Sequence, residues 1–360
     1  MKSIYLDHNA TTPLDRPIVQ AIEDFLVTSL GNPSSTHGQG QQARGQLTEA
    51  RRLIAKSLGV LPQEVVFTSG ATEGMNFLLN GLTGHIITSN VEHACTEAAL
   101  KRLAADVDYL PAGLFGAITA EQVAKALRPE TRAIVLMAVN NETGVITPLP
   151  EIAEIAEKAG IPLIVDAVAW LGKAPFHIPR GVTALAISGH KLHAPSGIGA
   201  VFIRKGFKPK PLIVGGPQEL GWRGGTENML GIVALAAAMK AIDPSQFQHM
   251  TLLRDQLEQG ILALYPGALI NGQGPRISNT LNVAFPDKDG ETLLMSLDQA
   301  GLAVSLGSAC SSGALEPSRV LLAMGLPTVL AKASLRFSLS RMTTSEEIQA
   351  ALAILKSVLR

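Results

Sequence analysis

Thr183-Ala184-Leu185-Ala186-Ile187-Ser188-Gly189-His190-Lys191 is the stretch on which the reading of this chain turns. Its first five residues form a short apolar run, and the glycine-rich Ser196-Gly197-Ile198-Gly199 follows soon after. Such a run reads as a buried strand whose carboxyl end opens into Ser-Gly-His-Lys. A lysine at the end of a buried strand is costly unless its charge is paired or its amine is converted. A Schiff base with an aldehyde cofactor does the latter. The alternative is a lysine that reaches out to solvent, so Lys191 has to be judged by its company.

Outward from that strand the same pattern repeats. Glu64-Val65-Val66-Phe67-Thr68, His85-Ile86-Ile87-Thr88, Ala133-Ile134-Val135-Leu136-Met137 and Pro162-Leu163-Ile164-Val165 read as strands. Helical patterns lie between them near 36–58, 72–81, 93–105, 119–127 and 149–159. Short continuous apolar strands separated by helices predict an α/β fold with a mostly parallel sheet covered on both faces. Gly199 to Lys205 adds a further, antiparallel strand. After about residue 245 the pattern changes to a polar helix near 246–264, a strand at Ser278–Phe285, a helix at Glu291–Ala300 and a strand at Ser334–Leu339. A last helix begins at Thr344, with Glu347 completing a capping box. The expected division is a large α/β domain over 12–245, and a smaller α+β domain from 1–11 and 246–360.

In open α/β sheets ligands bind beyond the carboxyl ends of the strands. Polar segments stand at those ends here: Ser69-Gly70-Ala71-Thr72-Glu73, Glu92-His93, Asn140-Asn141-Glu142, Asp166 and Ser188-Gly189-His190-Lys191. Gly70 allows close backbone approach, and a helix starting there offers free N–H groups to a phosphate, with Thr72, Ser188 and His190 to complete the cup. A helix cap without a ligand is the plainer alternative. Asp166 closes a strand, and its carboxylate there suits a protonated pyridine nitrogen; a helix cap or a metal ligand would explain it too. His93 is positioned to lie over a cofactor ring and carry protons. Arg336, inside an apolar strand, calls for a carboxylate, either that of a substrate or an internal Asp or Glu.

Formal net charge is zero, which gives no electrostatic case for nucleic acid or an anionic membrane. The most apolar internal stretch, Leu230–Met239, is too short to span a bilayer. The start meets a charge at once and has no apolar core of leader length. There are two cysteines, Cys95 and Cys310, too few for a stapled secreted framework. A reducing compartment, the cytoplasm, is expected, with free thiols. Small residues surround Cys310 in Gly307-Ser308-Ala309-Cys310-Ser311-Ser312-Gly313, as suits a travelling nucleophile, whereas Cys95 reads as a small residue on a helix face.

These residues resemble the cysteine desulfurases of the NifS/IscS type, in the class V branch of fold-type I pyridoxal-phosphate enzymes. The resemblance runs almost end to end. It includes Tyr5-Leu6-Asp7-His8-Asn9-Ala10-Thr11-Thr12-Pro13, Gly31-Asn32-Pro33-Ser34-Ser35-Thr36-His37, Val139-Asn140-Asn141-Glu142-Thr143-Gly144, Gly215-Gly216-Pro217-Gln218-Glu219, Arg223-Gly224-Gly225-Thr226, the Cys310 segment and Arg336-Phe337-Ser338-Leu339-Ser340-Arg341. It implies pyridoxal 5'-phosphate bonded to Lys191, its ring nitrogen on Asp166 and its face under His93. Its phosphate would lie on Ala71, Thr72, Ser188 and His190, with Thr226 coming from the second subunit of a homodimer. Asn141 and Arg336 would meet the carboxylate of L-cysteine, and Cys310 would take the sulfur as a persulfide. The sulfur would pass to an acceptor protein, an iron–sulfur scaffold or a tRNA-thiolation factor. Ala169 departs from the family's pattern, which has Gln there to bond the cofactor's phenolic oxygen. Ala138 stands where His is common, and His193-Ala194-Pro195-Ser196-Gly197 replaces the usual Tyr-Gly-Pro-Lys-Gly. An aminotransferase, a cysteine or selenocysteine lyase, or a weakly active partner protein are the alternatives.

Overall fold

The structure, a computed structural model, describes residues 3–29, 31–307 and 316–359. Strands are β1 (Ile4–Tyr5), β2 (Val65–Thr68), β3 (Gly84–Ser89), β4 (Ala105–Leu110), β5 (Thr131–Met137), β6 (Leu163–Asp166), β7 (Val182–Ser188), β8 (Gly199–Ile203), β9 (Leu269–Ile270), β10 (Thr280–Ala284), β11 (Leu302–Ala303) and β12 (Ser334–Ser338). Seven of them form one sheet in the order β2-β8-β7-β6-β5-β3-β4. The pairings from β4 through to β7 are all parallel, and β8 runs antiparallel to both of its neighbours, as expected for Gly199–Lys205.

The helices over the first part of the chain are α1 (Arg16–Thr28), α2 (Gly38–Leu58), α3 (Ala71–Leu79), α4 (Ala94–Lys101), α5 (Ala120–Ala126), α6 (Leu149–Ala159) and α7 (Met229–Lys240). Because side chains alternate along a strand, the sheet feeds two cores. Phe67, Ile134, Leu136, Val165, Leu185 and Phe202 pack on one face with α2, α6 and α7. Val66, Ile86, Val135, Ile164, Ala186 and Val201 pack on the other with α3 and α4. Both faces are covered, which is why these strands read as unbroken apolar runs. Gly74 sets how closely α3 lies on the sheet: a Cβ there would meet Val201 Cγ1 at 2.8 Å.

The later helices are α8 (Ser245–Leu264), α9 (Gly290–Gln299), α10 (Arg319–Ala323), α11 (Thr328–Lys332) and α12 (Ser345–Val358). Strands β12-β10-β9 form an antiparallel sheet, and β1 pairs with β11. Leu6, Leu257, Leu281, Leu297, Phe337 and Ile348 share a separate core, so the N-terminal strand is built into the C-terminal part. Thr344 caps α12, with Glu347 returning the bond as the capping box requires.

One expectation needs correction. The helix expected over 93–105 ends at Lys101, and Ala105–Leu110 forms the edge strand β4 beside β3. Asp106 and Asp108 alternate with Ala105 and Val107 there, a period of two that suits a half-covered edge. Helices α1 and α7 also lie outside the expected set. No described helix is long and apolar enough to cross a membrane.

Candidate active site

A cavity of about 370 Å³ lies at the carboxyl ends of β2, β3, β5, β6 and β7. Ala71, Thr72, His93, Asn141, Asp166, Ser188, His190 and Lys191 all line it, together with Asn9, Ala10, Cys95 and Ala169. Eight positions singled out from sequence are thus brought together.

Lys191 sits in the short helical turn after β7. Its Nζ donates to the Ala10 carbonyl at 2.6 Å and to the Asn9 carbonyl. The N-terminal segment therefore reaches across the chain to hold the amine. Thr12 reinforces the same junction, since its N–H and hydroxyl both donate to the His190 carbonyl, at 3.0 and 2.8 Å. Burial and the charges of Lys191 and Lys173 pull His190 down to about 4, so it is a neutral imidazole at physiological pH. Its Nδ1 lies 3.3 Å from Thr11 Oγ1.

Asp166 ends β6 and is buried. It accepts the Val168 N–H at 3.0 Å. Burial raises its pKa, against the pull of His93, that hydrogen bond and Lys191. His93 caps α4: its Nδ1 accepts the Cys95 N–H at 3.2 Å. That bond needs an unprotonated Nδ1, which leaves the ring proton of the neutral form on Nε2. Cys95 Sγ is also 3.0 Å from the same nitrogen, and burial pushes this thiol up to about 12, so it is not a nucleophile. Next to His93, the buried Glu92 is pushed up to about 8 by desolvation, with the nearby Asp166 adding to the shift; Ser89 Oγ donates to it at 2.5 Å.

The opposite wall is the loop from β2 into α3. Helix α3 begins at Ala71, close to Ser188, whose Oγ lies 3.7 Å from where a Cβ on Gly70 would stand. A helix start with the Thr72 and Ser188 hydroxyls makes an anion cradle, while the Glu73 carboxylate accepts the Ser69 N–H at 2.8 Å. Glu73 itself is held by Arg223 at 3.1 Å.

Two of the expected site residues, Arg336 and Thr226, stand apart from the cavity. Arg336 does not line the cavity. Its Nη2 donates to Asp7 Oδ1 at 2.7 Å and its Nη1 to the Asn141 carbonyl at 3.3 Å. The internal carboxylate that sequence left open is therefore present, although Nε has no partner among the described residues. Thr226 is exposed and is not part of this chain's own cavity wall. Cys310 lies outside the described residues. Sequence reasoning missed Asn9 and Ala10 as the carbonyls that receive Lys191; the match at Asp7–Pro13 was the available signal. It also missed the contact of Cys95 with His93, two residues away.

The chain is similar to known proteins over nearly its whole length. The family model described as aminotransferase class-V matches residues 4–351. "Cysteine desulfurase 2" of Trichormus variabilis is 42% identical, covering 99% of this chain and 93% of that protein. "Cysteine desulfurase NifS" of Azotobacter vinelandii is 41% identical, covering 97% and 90%. Among solved structures, a "NIFS-like protein" superposes with a TM-score of 0.91 at 36% identity, covering 99% of each chain. A structure titled "SspA in complex with cysteine" gives 0.84 at 32%, covering 95% and 100%.

The cavity fits pyridoxal phosphate on its own chemistry. It joins an anion cradle at α3, a lysine amine and a buried carboxylate whose raised pKa marks it as wanting a nearby cation. Its volume falls in the range of small-molecule sites. The chain belongs to the class-V aminotransferase family, in the cysteine desulfurase branch of these pyridoxal-phosphate enzymes.

Proposed function

We propose that this chain removes sulfur from L-cysteine, with Lys191 holding the cofactor and Cys310 receiving the sulfur. The observation that carries the reading is the meeting of Lys191, Asp166 and His93 in one cavity below the start of α3. Pyridoxal phosphate, when bound, supplies an electron-withdrawing ring that makes the substrate α-proton acidic. Ala71, Thr72, Ser188 and His190 hold its phosphate, Asp166 keeps its ring nitrogen protonated, and His93 covers its face. Lys191, steadied by the Asn9 and Ala10 carbonyls, is the base that takes the α-proton and later returns it. Asn141 and Arg336 orient the substrate carboxylate; Arg336 does so from its buried seat on Asp7, where its Nε has no partner among the described residues. The Cys310 thiolate attacks the substrate sulfur. A sulfur–sulfur bond forms, the substrate carbon–sulfur bond breaks, and the products are alanine and Cys310 persulfide.

The finer reading is a cytoplasmic homodimer in which Thr226 completes the phosphate cup of the neighbouring subunit. An iron–sulfur scaffold or a tRNA-thiolation factor then accepts the sulfur. The separate apolar core around Leu6, Leu281 and Phe337 supports a smaller domain made of both chain ends, as expected for 1–11 and 246–360. One observation favours a slow enzyme: Ala169 lines the cavity and presents no donor where the family's glutamine would stand.

The test supplies cysteine and a reductant, then measures alanine and sulfide. Mass spectrometry should find one added sulfur on the peptide containing Cys310, and Cys310→Ala should stop turnover. Normal turnover by Cys310→Ala rejects the persulfide role. Pyruvate in place of alanine identifies a lyase, and turnover with a keto acid identifies an aminotransferase.

A further inference from the structure

Cys95 has no part in the reaction above, yet it lines the cavity. We infer that His93, Cys95 and Asp166 form a site for a borderline-soft divalent cation such as zinc, open only while the cofactor is absent. One nitrogen, one sulfur and one oxygen of these residues lie within 4.8 Å of one another, and no other such group of His, Cys, Asp or Glu occurs among the described residues. Zinc bonds of about 2.0–2.3 Å put tetrahedral ligand atoms roughly 3.3–3.8 Å apart, so closure needs shifts of about 1 Å. Three protein ligands with the fourth position open toward the cavity is a familiar zinc arrangement, and thiolate with imidazole selects zinc over magnesium or calcium.

Two of the three ligands share one helix start. His93 and Cys95 stand two residues apart at the start of α4, where a cation on His93 Nδ1 would take the lone pair that now accepts the Cys95 N–H. Asp166 is anchored at the end of β6 by the Val168 N–H. Ligands carried on regular elements lose little freedom on binding. Exclusivity rests on the proposed function: if His93 and Asp166 hold the pyridine ring, ring and cation compete for the same two side chains. The cation then marks and blocks the cofactor-free chain.

The test titrates zinc into the full chain stripped of cofactor and into the chain loaded with pyridoxal phosphate. Cobalt serves as a spectroscopic probe, because a thiolate ligand gives it a charge-transfer band. One cation per stripped chain is expected, with at least about tenfold weaker binding to the loaded chain and to stripped Cys95→Ala. The chain has two cysteines, so in Cys310→Ala any cobalt–thiolate band must come from Cys95, with the site itself unaltered. A band of undiminished strength in Cys310→Ala supports the site, even if Cys95→Ala folds poorly. No band there, or zinc bound by folded Cys95→Ala as tightly as by the parent, overturns it. Cys95-dependent binding with no competition from pyridoxal phosphate leaves the cation site standing and removes the cofactor reading instead.

Discussion

At the β6 end of the cavity, burial pushes carboxyls up: Asp166 is raised, and Glu92 reaches about 8. At the Lys191 end the same burial pulls bases down. Lys173 falls to about 7, His190 and His193 to about 4, and His8 to about 3. Lys173 and His193 line a small recess behind Lys191. One cause, loss of solvent, thus shifts carboxyls and bases in opposite directions in and around the cavity, with Asp166 and His190 lining it directly. One end wants a cation and the other an anion. A zwitterionic cofactor with a basic ring nitrogen and an anionic phosphate answers both ends at once.

The largest effect should come from removing the amine at the second of these ends. Lys191→Ala should lower alanine formation by about 10³-fold or more, since it takes away both the attachment point and the base; steady-state assay checks this. Asp166→Asn keeps the shape of the carboxyl end and deletes its charge. It should cost roughly 10²-fold in rate and weaken cofactor retention, read by gel filtration and absorbance. Asp7→Asn acts outside the cavity wall, leaving the buried Arg336 without its carboxylate. Breaking a buried pair costs about 3–5 kcal/mol, and Asp7 is partly exposed, so about 3 kcal/mol is expected in urea unfolding.

The smallest effects test the opposite signs directly. Glu92 binds its proton more tightly in the folded chain, so its share of stability is whole below about 4.5 and declines as pH rises toward about 8. Glu92→Gln should flatten that decline, seen as a smaller loss of Tm between pH 5 and 8. His190 binds its proton less tightly when folded, so stability falls as pH drops from about 6.5 toward about 4. His190→Asn should flatten the acid side only. If both variants flattened the same side, the contrast between the two ends would be wrong.

Much of the sheet was legible because strands covered on both faces leave a continuous apolar signature. Strand β4 was not, because it is half covered and its Asp106 and Asp108 follow a helix without a break. Helix α1 carried its signals, Asp15 as cap and Pro17 in the first turn, but only Ile18 of it is buried, and the apolar Leu26 and Val27 are exposed. Residues at strand ends could be placed in the site since topology alone brings them to one rim. Arg336 could not be assigned its partner in that way. Asp7 lies 329 positions earlier in the chain, and only the pairing of β1 with β11 and the bridge from Asp7 to Ser338 bring them together. Glu219 was likewise read as part of a matched segment, while its bidentate bond to Arg51 and its bond to the Phe67 N–H are set by packing.

The most direct measurement is borohydride reduction of the chain loaded with pyridoxal phosphate, followed by peptide mass spectrometry. One reduced pyridoxyl group on the peptide containing Lys191, absent from Lys191→Ala and formed far less readily by Asp166→Asn, is the expected result. A group attached to a different lysine, or equal loading with and without Lys191, would contradict the assignment of this cavity to the cofactor.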